Sequence, residues 1–454
     1  MKKIALINPG NKKDVSLGMI EPLNLGFIAS YLEKNGIEVK IIDEFAGQNF
    51  KKELEKFSPD FVGITSTTPL VSNAYNIADT CRRMGLFVIM GGVHPSTLPD
   101  EALQHSDTVV VGEGEEAIVD IINKKARNKI VSYPFIKELS QIPHPARHLI
   151  DMNHYQRTID INPETHLGGY ISSRTKTSGV LSSRGCPFKC IFCHNSWRMC
   201  PPRYHSAEFV IEEIDDLTEN YGTEAIFFFE DDLFSNRPRL KKVCNTMIER
   251  KYCLVWGCNA RVDEINRETL MTVKKAGCRQ VNFGFESGSQ KILDILKKNT
   301  TTVEQNRKAA NLCKEVGLGV HASFMIGNPS ETIKDIRMTQ EFIRETHLDS
   351  VGILLTTPFP GTELWEICRK MGRIPDKIDW NDFTTGKLAI NCCDNLSSEE
   401  VQKLYQETID LTLTINKLSI KKYIKLGLKH PIRSISTMLR YPSKLKNIVK
   451  STIR

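Results

Sequence analysis

At 454 residues the chain is long enough for two or three domains of ordinary size. It is 40% hydrophobic and 25% charged, close to the soluble average, which excludes disordered and fibrous classes. No apolar run reaches the ~18 residues needed to cross a bilayer. The opening apolar run is too short for a signal-peptide core, so a cytoplasmic protein is expected. The net charge of +7 is uneven: from Lys417 to Arg454 there are eleven Lys or Arg and no Asp or Glu. The body before that tail is mildly acidic. Thirteen cysteines, an odd number without a secretory signal, argue against a disulfide framework.

Residues 1–125 alternate short apolar runs with amphipathic stretches, the pattern of a parallel sheet with crossover helices. Strands are expected at 4–7, 39–42, 61–64, 87–90 and 108–111. A helix follows the first, with Leu25, Ile28, Ala29 and Leu32 on one face and Gly36 as its stop. Ligands of doubly wound sheets sit beyond the carboxyl ends of the strands, so those loops matter most. Residues 126–177 have weak periodicity and carry Pro134, Pro143, Pro145 and Pro163; they read as a linker. A second β/α series is expected over 178–395, with strands at 180–182, 225–229, 254–258, 280–285, 321–326 and 350–355. Six such strands make most of a TIM-type barrel, an open one. Over 396–454 a helical segment carries the basic tail. Ser397 and Glu400 fit a capping box opening a helix to about Lys417, and Pro431 and Pro442 cut the basic tail into short helices.

The strongest chemical signal is Arg184-Gly-Cys-Pro-Phe-Lys-Cys-Ile-Phe-Cys193. It sets Cys186, Cys190 and Cys193 at C-x3-C-x2-C spacing, just past the first strand of the second series. Thiolates are soft ligands suited to iron–sulfur clusters or zinc. Three of them can hold three irons of a four-iron cluster and leave the fourth open to a small molecule. The competing assignment is structural zinc with His194 or Cys200 as fourth ligand, but zinc ribbons pair two C-x2-C knuckles and the sequence has no second one. Gly112-Glu-Gly-Glu115 is not a phosphate loop, because two carboxylates repel phosphate and no Lys-Ser or Lys-Thr comes after it. Most other cysteines read as core; the pair Cys392-Cys393 could instead line a substrate pocket. The tail has one aromatic after Tyr423, Tyr441, which argues against nucleic acid and for peripheral contact with anionic lipid at the inner membrane surface.

On these residues the second series resembles the radical S-adenosylmethionine (SAM) superfamily. The resemblance implies a [4Fe–4S] cluster on Cys186, Cys190 and Cys193, with Phe192 nearby in the SAM site. It also implies that Glu230 and Asp232 of Phe229-Glu-Asp-Asp-Leu-Phe234 lie near the methionine amino group, and Arg261 near its carboxylate. Glu286 of Gly284-Phe-Glu-Ser-Gly288 would meet the ribose or amino end, and Phe324-Met-Ile-Gly-Asn-Pro-Ser-Glu331 would face the adenine.

The first domain resembles the cobalamin-binding domain that precedes such barrels. The resemblance rests on Asn8-Pro-Gly10, Glu21-Pro-Leu-Asn-Leu-Gly26, Ser66-Thr-Thr68, Gly91-Gly-Val-His-Pro95 and Gly112-Glu-Gly-Glu115. It implies corrin contacts from Ser66, Thr67, Thr68, Gly91, Gly92, His94, Gly112 and Glu113. Many cobalamin proteins carry Asp-x-His-x-x-Gly, whose histidine ligates cobalt; here Asp43-Glu-Phe-Ala-Gly47 has Phe45 at that place. The resemblance then implies cobalt without a protein imidazole below it, and His94 lies in a different loop.

The fold expected is α/β: a Rossmann-like, flavodoxin-like cobalamin-binding domain, a partial TIM-type (β/α)6 radical SAM barrel, and a helical, basic C-terminal segment. The activity implied is reductive cleavage of SAM to a 5′-deoxyadenosyl radical and methylation of an unactivated carbon of a small, hydrophobic substrate. An external donor such as flavodoxin or ferredoxin would supply electrons. The alternatives are oxidative cyclisation, as in the anaerobic magnesium-protoporphyrin ester cyclase, a radical SAM enzyme that has lost cobalamin, and a non-catalytic metal- or corrin-binding protein.

Overall fold

Alternation along the first strand sets how the N-terminal sheet is packed. In β1 (Lys3–Asn8), Ile4 and Leu6 join Leu25, Ala29 and Leu32 in one apolar cluster. Ala5 and Ile7 face the other way, onto Ala74, Ile77 and Ala78. A parallel strand covered by helices on both faces is apolar throughout, and these four residues are fully buried. The computed structural model describes residues 2–10, 20–125, 128–156, 167, 170–171, 175–194, 200–346 and 348–427. β1 pairs in parallel with β2 (Glu38–Asp43) and β3 (Phe61–Thr65). The sheet continues through β4 (Phe87–Gly91), β5 (Thr108–Val111) and β6 (Ile130–Ser132), in the order β2-β1-β3-β4-β5-β6. This is the flavodoxin-like order, whose strand sequence reverses at β1 and β3 and opens a crevice at their carboxyl ends. The five strands read from the sequence are present; β6 is a short addition from the stretch that reads as linker.

The second series begins with β7 (Thr177–Val180), followed by a short antiparallel ribbon of β8 (Ser183–Arg184) and β9 (Arg203–Tyr204). Then come β10 (Ala225–Phe228), β11 (Val255–Ala260), β12 (Cys278–Glu286), β13 (Gly319–Ile326) and β14 (Ser350–Leu355). They form one six-stranded sheet, β14-β13-β12-β11-β10-β7, and each pairing is parallel. Among the described residues it is an open partial barrel. β7 ends at Val180, so the apolar run at 180–182 is mostly past the strand; Ser182 turns out of the ladder to bind a carboxylate instead.

The two sheets are stitched together by buried charge. Arg147 is buried, lies 2.8 Å from Glu213 and donates from Nη2 to the Gly179 carbonyl (2.6 Å). Glu21, from the N-terminal domain, accepts from the Gly179 N–H (2.7 Å). Both backbone polar groups of Gly179 in β7 are thus held, one by each partner. Past β14 the chain crosses back, and Trp380, Phe383 and Ile390 share the apolar cluster of Val71 and Ala74. The Ser397–Glu400 capping box is present: Ser397 N–H donates to Glu400 (2.8 Å) and Glu400 N–H to Ser397 Oγ (3.2 Å). The helix it opens, Ser398–Gly427, runs beyond Lys417, for no proline or glycine intervenes before Gly427. Pro431, Pro442 and the rest of the basic tail lie outside the described residues. Among the described residues no helix is long and apolar enough to cross a membrane.

Candidate active site

The loop carrying Cys186, Cys190 and Cys193 leaves the carboxyl end of β7 and is held at both ends. Gly185 adopts φ +87°, and a Cβ there would stand 2.4 Å from the Pro201 carbonyl oxygen, so only glycine passes. The next N–H, of Cys186, donates to the Cys200 carbonyl (3.2 Å). Further along, Ile191 N–H donates to Leu296 and Ile191 O accepts from Leu364 N–H, which docks the loop against two helices (3.0 and 2.8 Å). Phe192 packs on the apolar cluster that includes Ile191, Ile292 and Met325.

The three thiols are unoxidised and neither fully buried nor exposed. Burial pushes Cys186 up to about 11, and the neighbouring Cys193 and Cys190 add to it. Burial also raises Cys190, against the pull of Lys297 and Arg261. Three reduced thiols within electrostatic range of one another, beside two cations, fit the donor set of a cluster that carries negative charge. Among the described residues no three His, Cys, Asp or Glu side chains converge on a cage for a single ion.

Around this loop the strand ends present charged groups. Glu230, just past β10, is buried; its Oε1 accepts from Ser182 N–H (2.8 Å) and from the Ser182 hydroxyl, while Oε2 has no hydrogen-bond partner. Burial raises its carboxyl above the usual range, against the Ser182 hydrogen bond and Arg239. Asp232 caps the following turn through Oδ1 to Phe234 N–H (3.1 Å) and leaves Oδ2 unpartnered. Burial pushes it up to about 7. Two buried carboxyl oxygens without partners at neighbouring positions fit a polar, cationic ligand group such as an amino terminus.

Arg261, past β11, lies over the Phe188 ring of the thiol loop at 3.3 Å from its centroid and forks onto Asp263 with two 3.0 Å hydrogen bonds. Its guanidinium also reaches Thr301 (3.2 Å). Glu286 ends β12 in the left-handed region at φ +62°, beside a register shift, 3.5 Å from Lys297 Nζ. Burial raises its carboxyl, against the attraction of Lys297 and Arg261. Its side chain folds back so closely that a Cβ on Gly284 would meet Oε1 at 2.2 Å. In the loop after β13, the buried Glu331 accepts from the N–H groups of Gly327 (2.7 Å) and Asn328 (2.9 Å), which shapes that loop.

On the N-terminal side, Ser66, Thr67, Thr68, Gly91, Gly92 and Gly112 gather at the carboxyl ends of β3, β4 and β5. Thr67 is exposed there, whereas Ser66 and Thr68 are buried. Gly92 has φ +96°, and a Cβ would strike the backbone of Ser66 at 2.8 Å; Gly91 precedes it in β4. Gly112, at φ +103°, donates its N–H to Ser96 Oγ (3.0 Å). Tight glycine turns with a hydroxyl at the rim fit a broad, flat ligand with polar edges.

Two expected contacts sit elsewhere. His94 is completely buried, with Nδ1 3.2 Å from Thr68 Oγ1 and Nε2 3.5 Å from Glu101, and its ring abuts Trp380. It shapes the loop from beneath. Glu113 accepts from Arg203 Nη1 and Nη2 (2.9 and 2.8 Å), Arg184 Nη1 (3.2 Å) and Ile136 N–H (2.7 Å). Burial works against its ionisation, and those partners still hold its carboxyl below the usual range. Phe45 is half-buried, and its N–H donates to Asp43 (3.0 Å), whose other oxygen takes the Tyr155 hydroxyl.

Sequence reasoning missed Ser182, Lys297, Tyr155 and the grip of Arg184 and Arg203. None stands in a spacing that betrays it. Ser182, Tyr155, Arg184 and Arg203 reach partners remote in the chain, and Lys297 reaches Glu286 from the helix that follows its strand.

A model of the radical SAM superfamily matches residues 180–343, and one of the B12 binding domain matches residues 14–122. An uncharacterized methyltransferase of Pyrococcus horikoshii is 31% identical over 85% of this chain and 86% of its own. The anaerobic magnesium-protoporphyrin IX monomethyl ester cyclase of Rubrivivax gelatinosus is 25% identical over 80% of this chain and 68% of its own. The solved structure of TsrM from Kitasatospora setae, a radical SAM methyltransferase with cobalamin and [4Fe–4S] cluster bound, superposes with TM-score 0.66 at 18% identity. It covers 83% of this chain and 76% of that one, and shares the fold. The chain belongs to the radical SAM superfamily, in the cobalamin-dependent methyltransferase family that also holds the cyclase as a related member. Its cofactors are accordingly a [4Fe–4S] cluster, SAM and cobalamin.

Proposed function

We propose that the protein methylates an unactivated carbon of a small, hydrophobic molecule, with Cys186, Cys190 and Cys193 as the cluster ligands. The observation that carries this reading is the thiol loop at the carboxyl end of β7, with Lys297, Glu286 and Arg261 within electrostatic range of Cys190 and Asp231 within range of Cys186, all at the carboxyl ends of one parallel sheet. In β/α barrels that face is the catalytic one. The bound cluster, SAM and cobalamin supply electron transfer, a carbon radical and a transferable methyl group, chemistry no side chain offers.

The chain's own residues bind and orient. Glu230 and Asp232 accept the amino group of SAM. Arg261, held over Phe188 and anchored by Asp263, closes the thiol loop and faces the SAM carboxylate. Glu286 takes the ribose or amino end, with Lys297 balancing its charge. Phe192 and the loop ending at Glu331 wall the adenosyl group, and Thr67, Gly91, Gly92 and Gly112 border the corrin. An external donor such as flavodoxin or ferredoxin delivers the electron. We assign the domains to residues 1–125 and 178–395, with 126–177 between them.

Replacing Cys190 by alanine tests the ligand assignment. The variant is expected to lose iron and SAM cleavage while binding cobalamin as the wild type does. Iron content or cleavage near the wild-type level would sink it. The basic tail is proposed to rest on anionic lipid, each cation adding on the order of 1 kcal/mol near the surface. Co-sedimentation with anionic liposomes is expected for the full chain and much reduced for residues 1–416; equal partition would remove this part.

The cyclase among the relatives supports a second reading, oxidative ring closure with the same cofactors.

A further inference from the structure

The thiol loop has a neck, and the neck is held by the other domain. Its two strands, β8 and β9, pair antiparallel so that Arg184 stands directly opposite Arg203. Both arginines reach across to Glu113, which lies just past β5 of the N-terminal sheet. Arg184 also donates to Glu115 (2.6 Å), and its guanidinium lies over the Phe27 ring at 5.5 Å. Glu113, Glu115 and Phe27 all belong to the domain that carries the corrin crevice. The side chains of Arg184, Arg203, Glu113 and Glu115 are 17%, 8%, 15% and 3% exposed, and two cations face two anions. Two residues after Arg184 comes Cys186, and only Gly185, locked against Pro201, separates them.

Resting on the cluster assignment above, we infer that Arg184 is a positioning residue: it fixes the thiol loop to the Gly112–Glu115 loop, so that the corrin-side domain sets where the cluster sits. Forked arginine–carboxylate pairs carry direction as well as attraction. A fork shared between two carboxylates of one loop resists both sliding and rotation. Burial keeps it from being screened by salt. Lysine, a single point donor, would keep the charge and lose the direction. Gly112, at the root of the same loop, borders the crevice proposed for the corrin. Displacement of one loop therefore moves the other.

The test uses the full chain in the variants Arg184→Gln, Arg184→Lys and Glu115→Gln. In the cluster-free protein, alkylation of each thiol is followed by peptide mass spectrometry, with the exposed Cys253 as internal reference. For Arg184→Gln the rate at Cys186 is expected to rise about tenfold, the factor that ~1.4 kcal/mol corresponds to, while Cys253 is unchanged. Arg184→Lys should show a smaller rise. After reconstitution, the cluster midpoint potential should fall when the cation is removed and rise when Glu115 is neutralised, since net charge tunes such potentials. Packing loss alone would not give opposite signs.

Alkylation at Cys186 equal to wild type in both Arg184→Gln and Glu115→Gln, or potential shifts of one sign, would overturn the inference. Should Arg184→Gln fail to fold, Arg184→Lys and Glu115→Gln carry the same comparison. If wild-type protein takes up no iron, the cluster assignment fails instead, and the alkylation contrast remains readable on its own.

Discussion

At the scale of single residues, burial decides most of the chemistry. Glu331 is fully buried, and burial pushes its carboxyl up to about 7, against the opposing N–H groups of Asn328 and Gly327. A folded-state value above the unfolded one means that the folded protein holds the extra proton. The stabilisation is complete below the ordinary carboxyl range and is lost as pH rises through about 7. Urea unfolding at pH 5.5 and pH 8 is expected to show the wild type losing up to a few kcal/mol more than Glu331→Gln over that interval. Equal losses in both proteins would show that Glu331 does not titrate there. The three thiols proposed as cluster ligands stand out in the sequence because their spacing is local. The place of Glu230 and Asp232 after a strand is visible in the sequence, but their unpaired oxygens are not. The pairing of Glu230 depends on Ser182, itself held by Arg239, and both arrive from elsewhere in the chain.

At the scale of elements, strand-end turns do the placing. Gly92 follows β4 with positive φ, and its missing side chain lets the turn close on Ser66. Substitution by alanine would force a Cβ to within 2.8 Å of backbone atoms that cannot give way. The cost is of order 1–3 kcal/mol, concentrated in the turn that borders the proposed corrin crevice. Gly92→Ala is expected to weaken cobalamin binding by about tenfold or more, as that energy implies, while iron content stays at the wild-type level. Cobalamin retention equal to wild type after gel filtration would contradict this.

Strands were legible from apolar runs, since parallel strands covered on both faces read as continuous hydrophobic stretches. β7 was read late because Val180-Leu181-Ser182 continues the apolar run after the ladder ends. β6, three residues long, offers no periodicity at all. The C-terminal helix outran its expected end because basic residues by themselves do not stop a helix.

At the scale of the molecule, the two sheets form one working body because their carboxyl ends are joined by buried polar contacts. Arg147 with Glu213 and Glu21 hold β7, and Arg184 and Arg203 hold the neck of the thiol loop. Trp380 reaches back to Glu101 (2.9 Å) and seats the returning segment on the N-terminal domain. None of these links is visible in the sequence, because each joins residues far apart in the chain with no shared motif. The motifs on either side were readable; the joints between them were not. Those joints fix the B12-binding and radical SAM domains against one another.

Methyl transfer of the kind proposed requires both cofactors to work together on SAM. Protein purified anaerobically and reconstituted with iron, sulfide and cobalamin would be given reductant and trideuteromethyl-labelled SAM. Mass spectrometry would then track the label, S-adenosylhomocysteine and 5′-deoxyadenosine. Label on the corrin together with S-adenosylhomocysteine, both above a control without enzyme, is the expected result. Bound cobalamin that stays unlabelled while 5′-deoxyadenosine accumulates would contradict methyl transfer and favour oxidative cyclisation.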